Sequence, residues 1–156
     1  KATCFIDLSA EKKIMNILDL KNRINTINQL KGKPNFSEIQ KVISRVSKLA
    51  ESGNLKTTIF SYKNYVNLDL FEKECENKVF EFIKELEEII KLNNWDYFQL
   101  FKLFESNANN INELFDNEKG VLIMAENPEI RNNRLNLLGL VRNYSLKIAD
   151  FTLFNS

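Results

Sequence analysis

Apolar positions recur with helical spacing along most of the chain. The first series has alternating steps of three and four residues and consists of Ile17, Leu20, Ile24, Ile27 and Leu30. This spacing predicts a helix over about residues 9–30. Gly32 and Pro34 follow directly and both disfavour a helix interior, so we expect the first helix to end before them.

A second series predicts another helix, which Gly53 is suited to end. Its apolar members are Ile39, Val42, Ile43, Val46, Leu49 and Ala50. Two pairs fit the spacing of an N-terminal capping box, Ser37 with Gln40 and Asn35 with Glu38. The polar side of this helix carries the densest basic line in the chain, formed by Lys41, Arg45 and Lys48. Such a line is usually a solvated face, but it also suits binding to a polyanion.

Residues 54–67 are rich in residues that favour β-strands, but the chain offers no second convincing strand to pair with them. We interpret this segment as an extended connector that packs its aromatic residues Phe60, Tyr62 and Tyr65 on the helices. A third helix is predicted over about residues 70–92. Its apolar residues are Phe71, Cys75, Val79, Phe82, Ile83, Leu86 and Ile90.

Asn94 is suited to cap a short aromatic-rich helix, and a further short helix is predicted around residues 109–116. Helical spacing favours core packing over a base-stacking platform for the aromatic stripe Trp95, Phe98, Phe101 and Phe104. Asn127 as N-cap and Pro128 at the first helical position predict a final helix that runs to about residue 150. The chain is therefore predicted to be a single all-α domain, a bundle of about five to six helices.

The chain contains no histidine, which removes His-based nucleophilic triads, His metal sites and the commonest general base. We therefore expect no enzymatic activity within this chain. Cys4 and Cys75 are too few for a disulfide framework or a four-ligand zinc site, and helical spacing favours core packing for Cys75. The first residue is Lys1 and no signal-peptide layout follows, which predicts a piece of a longer polypeptide. No run of eighteen apolar residues occurs, so no membrane span is predicted.

The net charge of +1 hides an uneven distribution. Residues 1–66 carry 12 Lys/Arg against 5 Asp/Glu (+7), residues 67–130 carry 6 against 15 (−9), and residues 131–156 carry 4 against 1 (+3). Basic terminal regions around an acidic central region are consistent with a protein that binds a polyanion. They fit equally well a molecule whose own parts attract each other.

One arginine falls among the inward positions of the final helix, since Arg134 shares a face with apolar side chains at about 100° per residue. Those apolar residues are Ile130, Leu137, Leu138, Val141 and Ile148. A buried guanidinium is costly without a partner, so we expect Arg134 to bind a nearby carboxylate or carbonyl. Asp116 and Glu126 flank the preceding apolar run and are the predicted partners in a structural clasp. Arg131 and Arg142 lie at the edge of this face, whereas Asn132, Asn136 and Asn143 share the opposite, polar face.

The last forty or so residues carry an ordered set of short motifs. They are Phe115-Asp116, the apolar run 121–125, Glu126-Asn127, Arg131, Asn133-Arg134-Leu135, Leu137-Leu138 and Ala149-Asp150-Phe151. This order resembles the C-terminus of the β subunits of bacterial-type heterotetrameric glycyl-tRNA synthetases. Residues 43–50 are similar to an Arg-Val-Ser segment of the same family, and the likeness over residues 23–92 is weaker but in the same order. The chain departs from the family in a longer loop at 117–120 and in "NELFD" at 112–116.

The resemblance implies a helical anticodon-binding domain of the type named for a DALR motif, which arginyl-tRNA synthetases share. Within a single helical domain, 1–156, we distinguish basic N-terminal helices with the connector (1–66) from an anticodon-binding bundle (67–156). The resemblance also implies that the class II catalytic core, with its ATP and Mg²⁺, belongs to another subunit, so no cofactor is expected in this chain. The implied partners are tRNA-Gly and the α subunit of an α2β2 assembly, in a bacterial cytoplasm or plastid stroma.

Glycine codons begin with GG, so the anticodon ends in two cytosines, each with one amino donor and two acceptors on its edge. A protein that recognises these cytosines needs hydrogen-bond donors such as Arg, Lys or Asn and one carboxylate or carbonyl as acceptor. We therefore assign tRNA binding to Lys41, Arg45 and Lys48 through phosphates and to Arg131, Asn132, Asn136 and Arg142 on the final helix. An exposed aromatic residue such as Tyr144 is a candidate for stacking. The alternative function is a helical protein–protein module without RNA contact, which the acidic middle slightly favours.

Overall fold

The computed structural model describes residues 8–154, which form five α-helices and two short 3-10 turns. The helices are α1 Leu8–Lys31, α2 Phe36–Ala50, α3 Glu74–Leu92, α4 Tyr97–Glu113 and α5 Pro128–Leu146, and the 3-10 turns are Leu68–Leu70 and Phe151–Leu153. No β-strand occurs between residues 8 and 154, so the predicted all-α class is confirmed. None of these helices is long and apolar enough to cross a membrane.

Helix α5 lies at the centre of the bundle and packs mainly on α2. It begins as predicted, because the Asn127 side chain accepts hydrogen bonds from the backbone N–H groups of Glu129 and Ile130 and Pro128 follows it. Most residues from Asn133 to Ser145 are buried. A helix buried on nearly all sides needs no solvated stripe, so its polar side chains must find partners inside the protein.

The connector between α2 and α3 packs against α5 and also contacts α3, and it forms no strand. Phe60 and Tyr62 pack against the core as predicted. Tyr65 does not, since its side chain is 38% exposed. Gly139 of α5 permits the close approach of the connector, because a Cβ atom there would lie 2.8 Å from Cδ2 of Leu55.

The boundaries of α3 and α4 differ from the predicted ones. Helix α3 begins at Glu74 rather than near residue 70, because residues 71–73 are extended and Glu76 caps the helix with its side chain. Helix α4 is one helix where two were predicted, and Asp96 rather than Asn94 is its N-cap. No glycine or proline interrupts it, and Ser106 and Asn107 donate hydrogen bonds back to carbonyls one turn earlier.

The buried side of α3 and α4 follows the predicted pattern closely. Cys75 is 1% exposed, which confirms core packing, whereas Cys4 lies outside the described residues. Phe101 and Phe104 are fully buried, as the core interpretation of the aromatic stripe requires. Phe98 is the exception, with 38% of its surface exposed.

Two further helix ends depart from prediction. Asn35 is the N-cap of α2, but neither capping box forms: the Asn35 amide donates to Glu105 of α4 at 2.7 Å, and the Gln40 amide donates to the carbonyls of Phe151 and Phe154. Helix α5 ends at Leu146 rather than near residue 150, and Arg23 of α1 donates to the carbonyl groups of Leu146 and Ile148 at this end. A cation suits the negative end of the helix dipole.

Only the C-terminal part of α1 packs against the bundle. Leu30 is fully buried and Ile27 is partly buried. The earlier part of the same apolar seam is exposed, as are neighbouring apolar residues. The exposed set is Ile14, Met15, Ile17, Leu18, Leu20 and Ile24, each between 48% and 66% exposed.

Candidate nucleic-acid interface

The basic line predicted on α2 forms one side of a groove, which we call the α2 groove. Lys41, Arg45 and Lys48 are exposed because they lie opposite the face that α2 buries against α5. The other side of the groove comes from the C-terminal 3-10 turn and the residue that follows it. The groove has a volume of about 480 Å³ and is lined by Gln40, Lys41, Ser44, Arg45, Lys48, Thr152 and Phe154.

Buried Gln40 fixes the relative position of the two sides. Its side-chain amide donates to the backbone carbonyls of Phe151 at 3.3 Å and Phe154 at 3.1 Å. The ring of Phe154 packs edge-on against Phe36 at 5.7 Å, and the Lys31 ammonium lies 4.8 Å from its centroid. The groove therefore has a rigid floor and an aromatic wall.

None of the three groove cations forms an ion pair or a side-chain hydrogen bond with residues 8–154. Three lysines of α3 behave differently, because each lies within 3.0 Å of a glutamate oxygen. These pairs are Lys78–Glu113, Lys84–Glu81 and Lys91–Glu87. The charges of the α2 groove are thus available to an anionic ligand, whereas those of α3 are largely neutralised locally.

Arg45 has one contact within the protein, an aromatic one. Its guanidinium carbon lies 4.1 Å from the centroid of the Phe115 ring, well inside the range of a cation–π interaction. Phe115 is partly buried in the turn that follows α4. This turn therefore holds the position of the central cation of the groove.

Arg134 is a buried structural clasp, as predicted, but the predicted partners are wrong. Its side chain is 4% exposed and donates to Glu76 Oε1 at 3.0 Å, to Glu72 Oε2 at 2.6 Å and to the Leu122 carbonyl at 2.8 Å. Glu76 is fully buried, whereas the side chain of Glu72 is 57% exposed. The clasp therefore joins α5 to the start of α3, because α3 lies directly across the interface from Arg134.

Asp116 and Glu126 have other environments. The Asp116 carboxylate accepts hydrogen bonds from the backbone N–H groups of Lys119 and Glu118, both at 2.8 Å. These hydrogen bonds hold the pKa of Asp116 below its usual value and organise the loop at 117–120. Glu126 is exposed at the approach to α5.

The edge position predicted for Arg142 is also wrong. Arg142 is 9% exposed and donates to the Leu55 carbonyl at 2.8 Å and to Asn143 Oδ1 at 3.0 Å. Burial lowers the pKa of its guanidinium. Arg131 is half-buried and donates through Nη1 to the Ala125 carbonyl at 3.1 Å, so part of its guanidinium remains available.

The asparagines of α5 mostly hold the connector instead of facing solvent. Asn143 is fully buried and donates to two connector carbonyls, those of Lys56 and Ile59, both at 2.8 Å. Asn136 donates to the Tyr65 carbonyl at 2.8 Å. Asn132 alone of the predicted polar face is exposed and makes no side-chain hydrogen bond within the described part of the chain.

Tyr144 is unsuited to stacking because it is fully buried. Its hydroxyl donates to the Phe60 carbonyl, and burial raises the pKa of this phenol. Its ring packs edge-on against Phe60 at 5.5 Å. The connector, which the sequence alone did not place, therefore covers the side of α5 that was predicted to face the ligand.

Two contacts were not predicted from the sequence, that of Glu76 with Arg134 and that of Phe115 with Arg45. Glu76 precedes Val79 and Ile83 by three and seven residues, so its helical spacing already indicated an inward position. Phe115 lies beyond the end of α4, and no periodic pattern connects it to Arg45. Among residues 8–154, no group of three His, Cys, Asp or Glu side chains is placed to bind a metal ion.

No protein-family model matches the chain. It is 32% identical over 144 residues to the glycine–tRNA ligase beta subunit of Picosynechococcus sp. and 31% identical over 143 residues to that of Gloeothece citriformis. Both alignments cover 90% of this chain but only 20% of the relative. A relative from Persephonella marina with the same name is 29% identical over 141 residues, covering 83% of this chain and 17% of the relative. The resemblance inferred from the sequence is confirmed, and the chain is homologous to about a fifth of the glycine–tRNA ligase beta subunit.

Proposed function

We propose that the α2 groove binds the phosphate backbone of a tRNA and that the chain supplies anticodon binding for the glycylation of tRNA-Gly. The observation that carries this proposal is the alignment of three exposed cations that have no ion-pair partner among residues 8–154, namely Lys41, Arg45 and Lys48. A cation that neutralises a phosphate releases condensed counterions, so such a line favours a polyanion. The relatives are named as ligases that act on tRNA, which supports RNA as that polyanion.

The contacts of α5 reduce the number of residues that we assign to base contacts. Asn132 and Arg131 retain unused donors, and we assign base contacts to these two residues. Asn136 and Arg142 hold the connector instead, so we no longer assign them to the RNA. An amide and a guanidinium supply the donors that the acceptors on a cytosine edge require.

The proposal extends to the assembly that the chain serves. We place the catalytic core, ATP and Mg²⁺ on another subunit, and we expect the partner to be the α subunit of an α2β2 enzyme in a bacterial cytoplasm or plastid stroma. Support comes from the relatives, whose shared name specifies a beta subunit and which are about five times as long as the aligned segment. This chain's own contribution is then to bind and orient the tRNA.

Salt-dependent titration of the chain with tRNA-Gly and with an unrelated tRNA tests the proposal. Replacing Lys41, Arg45 and Lys48 together by Glu should weaken binding of both tRNAs and flatten the slope of affinity against salt concentration. The matched control replaces three exposed lysines of α1 by Glu, namely Lys12, Lys13 and Lys21. Equal losses for the two triple variants would contradict a site at the α2 groove. A preference of the parent for tRNA-Gly would support reading of the anticodon.

A second candidate function rests on the exposed apolar part of α1. Six large apolar side chains of α1 are each about half or more exposed, and exposed apolar surface of this kind marks interaction sites, so a protein partner is the alternative ligand. Replacing Ile17 and Leu18 by Asp should then abolish binding to the partner subunit without changing affinity for tRNA. The two functions are compatible, because α1 and the α2 groove are formed by different residues.

A further inference from the structure

The side chain of Arg45 is exposed although it touches an aromatic ring. Its guanidinium carbon lies 4.1 Å from the centroid of Phe115, and the same side chain lines the α2 groove. The guanidinium carbon lies over the ring and the side chain is exposed, so the side of the guanidinium away from the ring is open to solvent. Arg45 therefore presents a flat cationic surface beside the groove in addition to its edge donors.

The ring that supports Arg45 is held by an ordered turn. Backbone hydrogen bonds of 3.0 Å join Val121 to Leu114 and Gly120 to Asp116, so they close the loop on both sides of Phe115. Gly120 is required there, because a Cβ atom would lie 2.4 Å from the Asp116 carbonyl oxygen. Phe115 thus offers Arg45 a fixed support, which reduces the entropy that the arginine loses when it binds a ligand.

The neighbours of Arg45 on α2 have a different chemistry. Lys41 lies four residues before it and Lys48 three residues after it, and neither ammonium group contacts a ring or a carboxylate in the described residues. An ammonium group is a point charge suited to phosphate, whereas a guanidinium plane also stacks. Unpaired bases of RNA loops commonly stack on aromatic rings or on arginine planes.

We propose that Arg45, supported by Phe115, is a stacking platform for one unpaired base of the bound tRNA, with Lys41 and Lys48 on the adjoining phosphates. This role differs from the phosphate contact predicted for Arg45 from the sequence. It rests on the proposed function, because it requires that the α2 groove bind RNA. The competing explanation is that Arg45 only shields the Phe115 ring and contributes charge.

The test uses the anticodon stem-loop of tRNA-Gly and a set of derivatives in which each loop base in turn is replaced by an abasic site. Stacking of one base contributes about 5- to 150-fold in affinity, so the parent should lose that much at one loop position. Arg45→Lys keeps the charge but removes the plane, and Phe115→Leu keeps an apolar side chain but removes the ring. Both variants should bind the intact stem-loop more weakly and should no longer distinguish it from that abasic derivative.

Lys41→Gln is the matched control within the groove. It should weaken binding of every stem-loop by the same factor and keep the parent's loss at the sensitive position. Thermal melts accompany each titration, and if Phe115→Leu melts early the conclusion rests on exposed Arg45→Lys. A parent that binds but is insensitive to every abasic site, or an Arg45→Lys variant that keeps the sensitivity, overturns the platform alone. A parent that binds no stem-loop overturns the proposed function and the platform together.

Discussion

Removal of the Arg134 side chain probes the ion-pair cluster that joins α5 to the start of α3. In Arg134→Ala, the Glu76 carboxylate stays fully buried and loses the one cationic partner that it has within residues 8–154. It retains hydrogen bonds from the backbone N–H groups of Glu72 and Lys73 to Oε2, at 2.8 and 3.0 Å. Breaking a buried pair by removing one member costs about 3–5 kcal/mol, because the remaining charge is uncompensated.

Thermal and urea unfolding measure this loss directly. For a chain of this length, each kcal/mol lowers Tm by about 2–4 °C, so we expect Arg134→Ala to melt about 6–20 °C below the parent. Glu72→Ala is the matched control, since Glu72 touches the same guanidinium at 2.6 Å but its side chain is 57% exposed. Its loss should cost less than about 1 kcal/mol, as is usual for exposed pairs.

A double variant separates the buried charge from side-chain packing. Arg134→Met combined with Glu76→Gln removes both charges and keeps an amide oxygen that can accept from the backbone N–H groups of Glu72 and Lys73, so it should recover most of the stability lost in Arg134→Ala. If Arg134→Ala melts within about 1 kcal/mol of the parent, the clasp contributes little and the reasoning from burial is wrong. If the double variant is as unstable as Arg134→Ala, the unpaired Glu76 carboxylate does not explain the loss.

Three further predictions concern the connector and α1. Asn143→Ala should cost about 1–3 kcal/mol in urea unfolding, because two connector carbonyls lose their donor, whereas exposed Asn132→Ala should change stability by less than about 0.5 kcal/mol. Gly139→Ala should cost about 1–3 kcal/mol by overpacking, and an equal effect of Gly32→Ala, which lies in an exposed turn, would contradict that explanation. Burial, with a hydrogen bond to an aspartate of α1, raises the pKa of Tyr97 from 10.0 to about 12. A raised folded-state pKa stabilises the protein at pH values below the unfolded-state pKa, so the stabilisation from Tyr97 should be lost as pH rises from 10 to about 12. Melts of Tyr97→Phe across that pH range should not show this loss.

Helical periodicity predicted the elements of this fold because apolar side chains recur at helical spacing along α2, α3 and α5, although each of these helices also buries polar side chains. Periodicity did not predict helix boundaries that depend on local side-chain hydrogen bonds. Two short helices were predicted in place of α4, whereas the helix continues through Ser106 and Asn107, whose side chains donate hydrogen bonds to carbonyls one turn earlier. Helix ends depend on which neighbour a capping side chain contacts, and Asn35 contacts Glu105 of another helix.

The candidate site was only partly predictable for a related reason. Exposure of the cations on α2 followed directly from the apolar pattern of that helix, and the burial of Arg134 followed from its place on the inward face. The environment of Arg142 and Asn143 did not follow, because the connector covers the polar face of α5 and uses those side chains as hydrogen-bond donors. A helical pattern shows which face differs from the others, but not which segment lies over it.

The ion pairs of the fold bear on the uneven charge of the sequence. Internal attraction accounts for part of it, since Arg134 from the basic C-terminal region pairs with Glu72 and Glu76 of the acidic middle. It does not account for the basic N-terminal region, because no ion pair joins residues 8–66 to the acidic residues at 67–130 in the described structure. The acidic middle instead pairs with its own lysines. Within residues 8–154, Lys41 and Lys48 have no ion-pair partner and Arg45 has only its aromatic contact with Phe115, so their charge remains available to the ligand outside the fold that we propose to be tRNA.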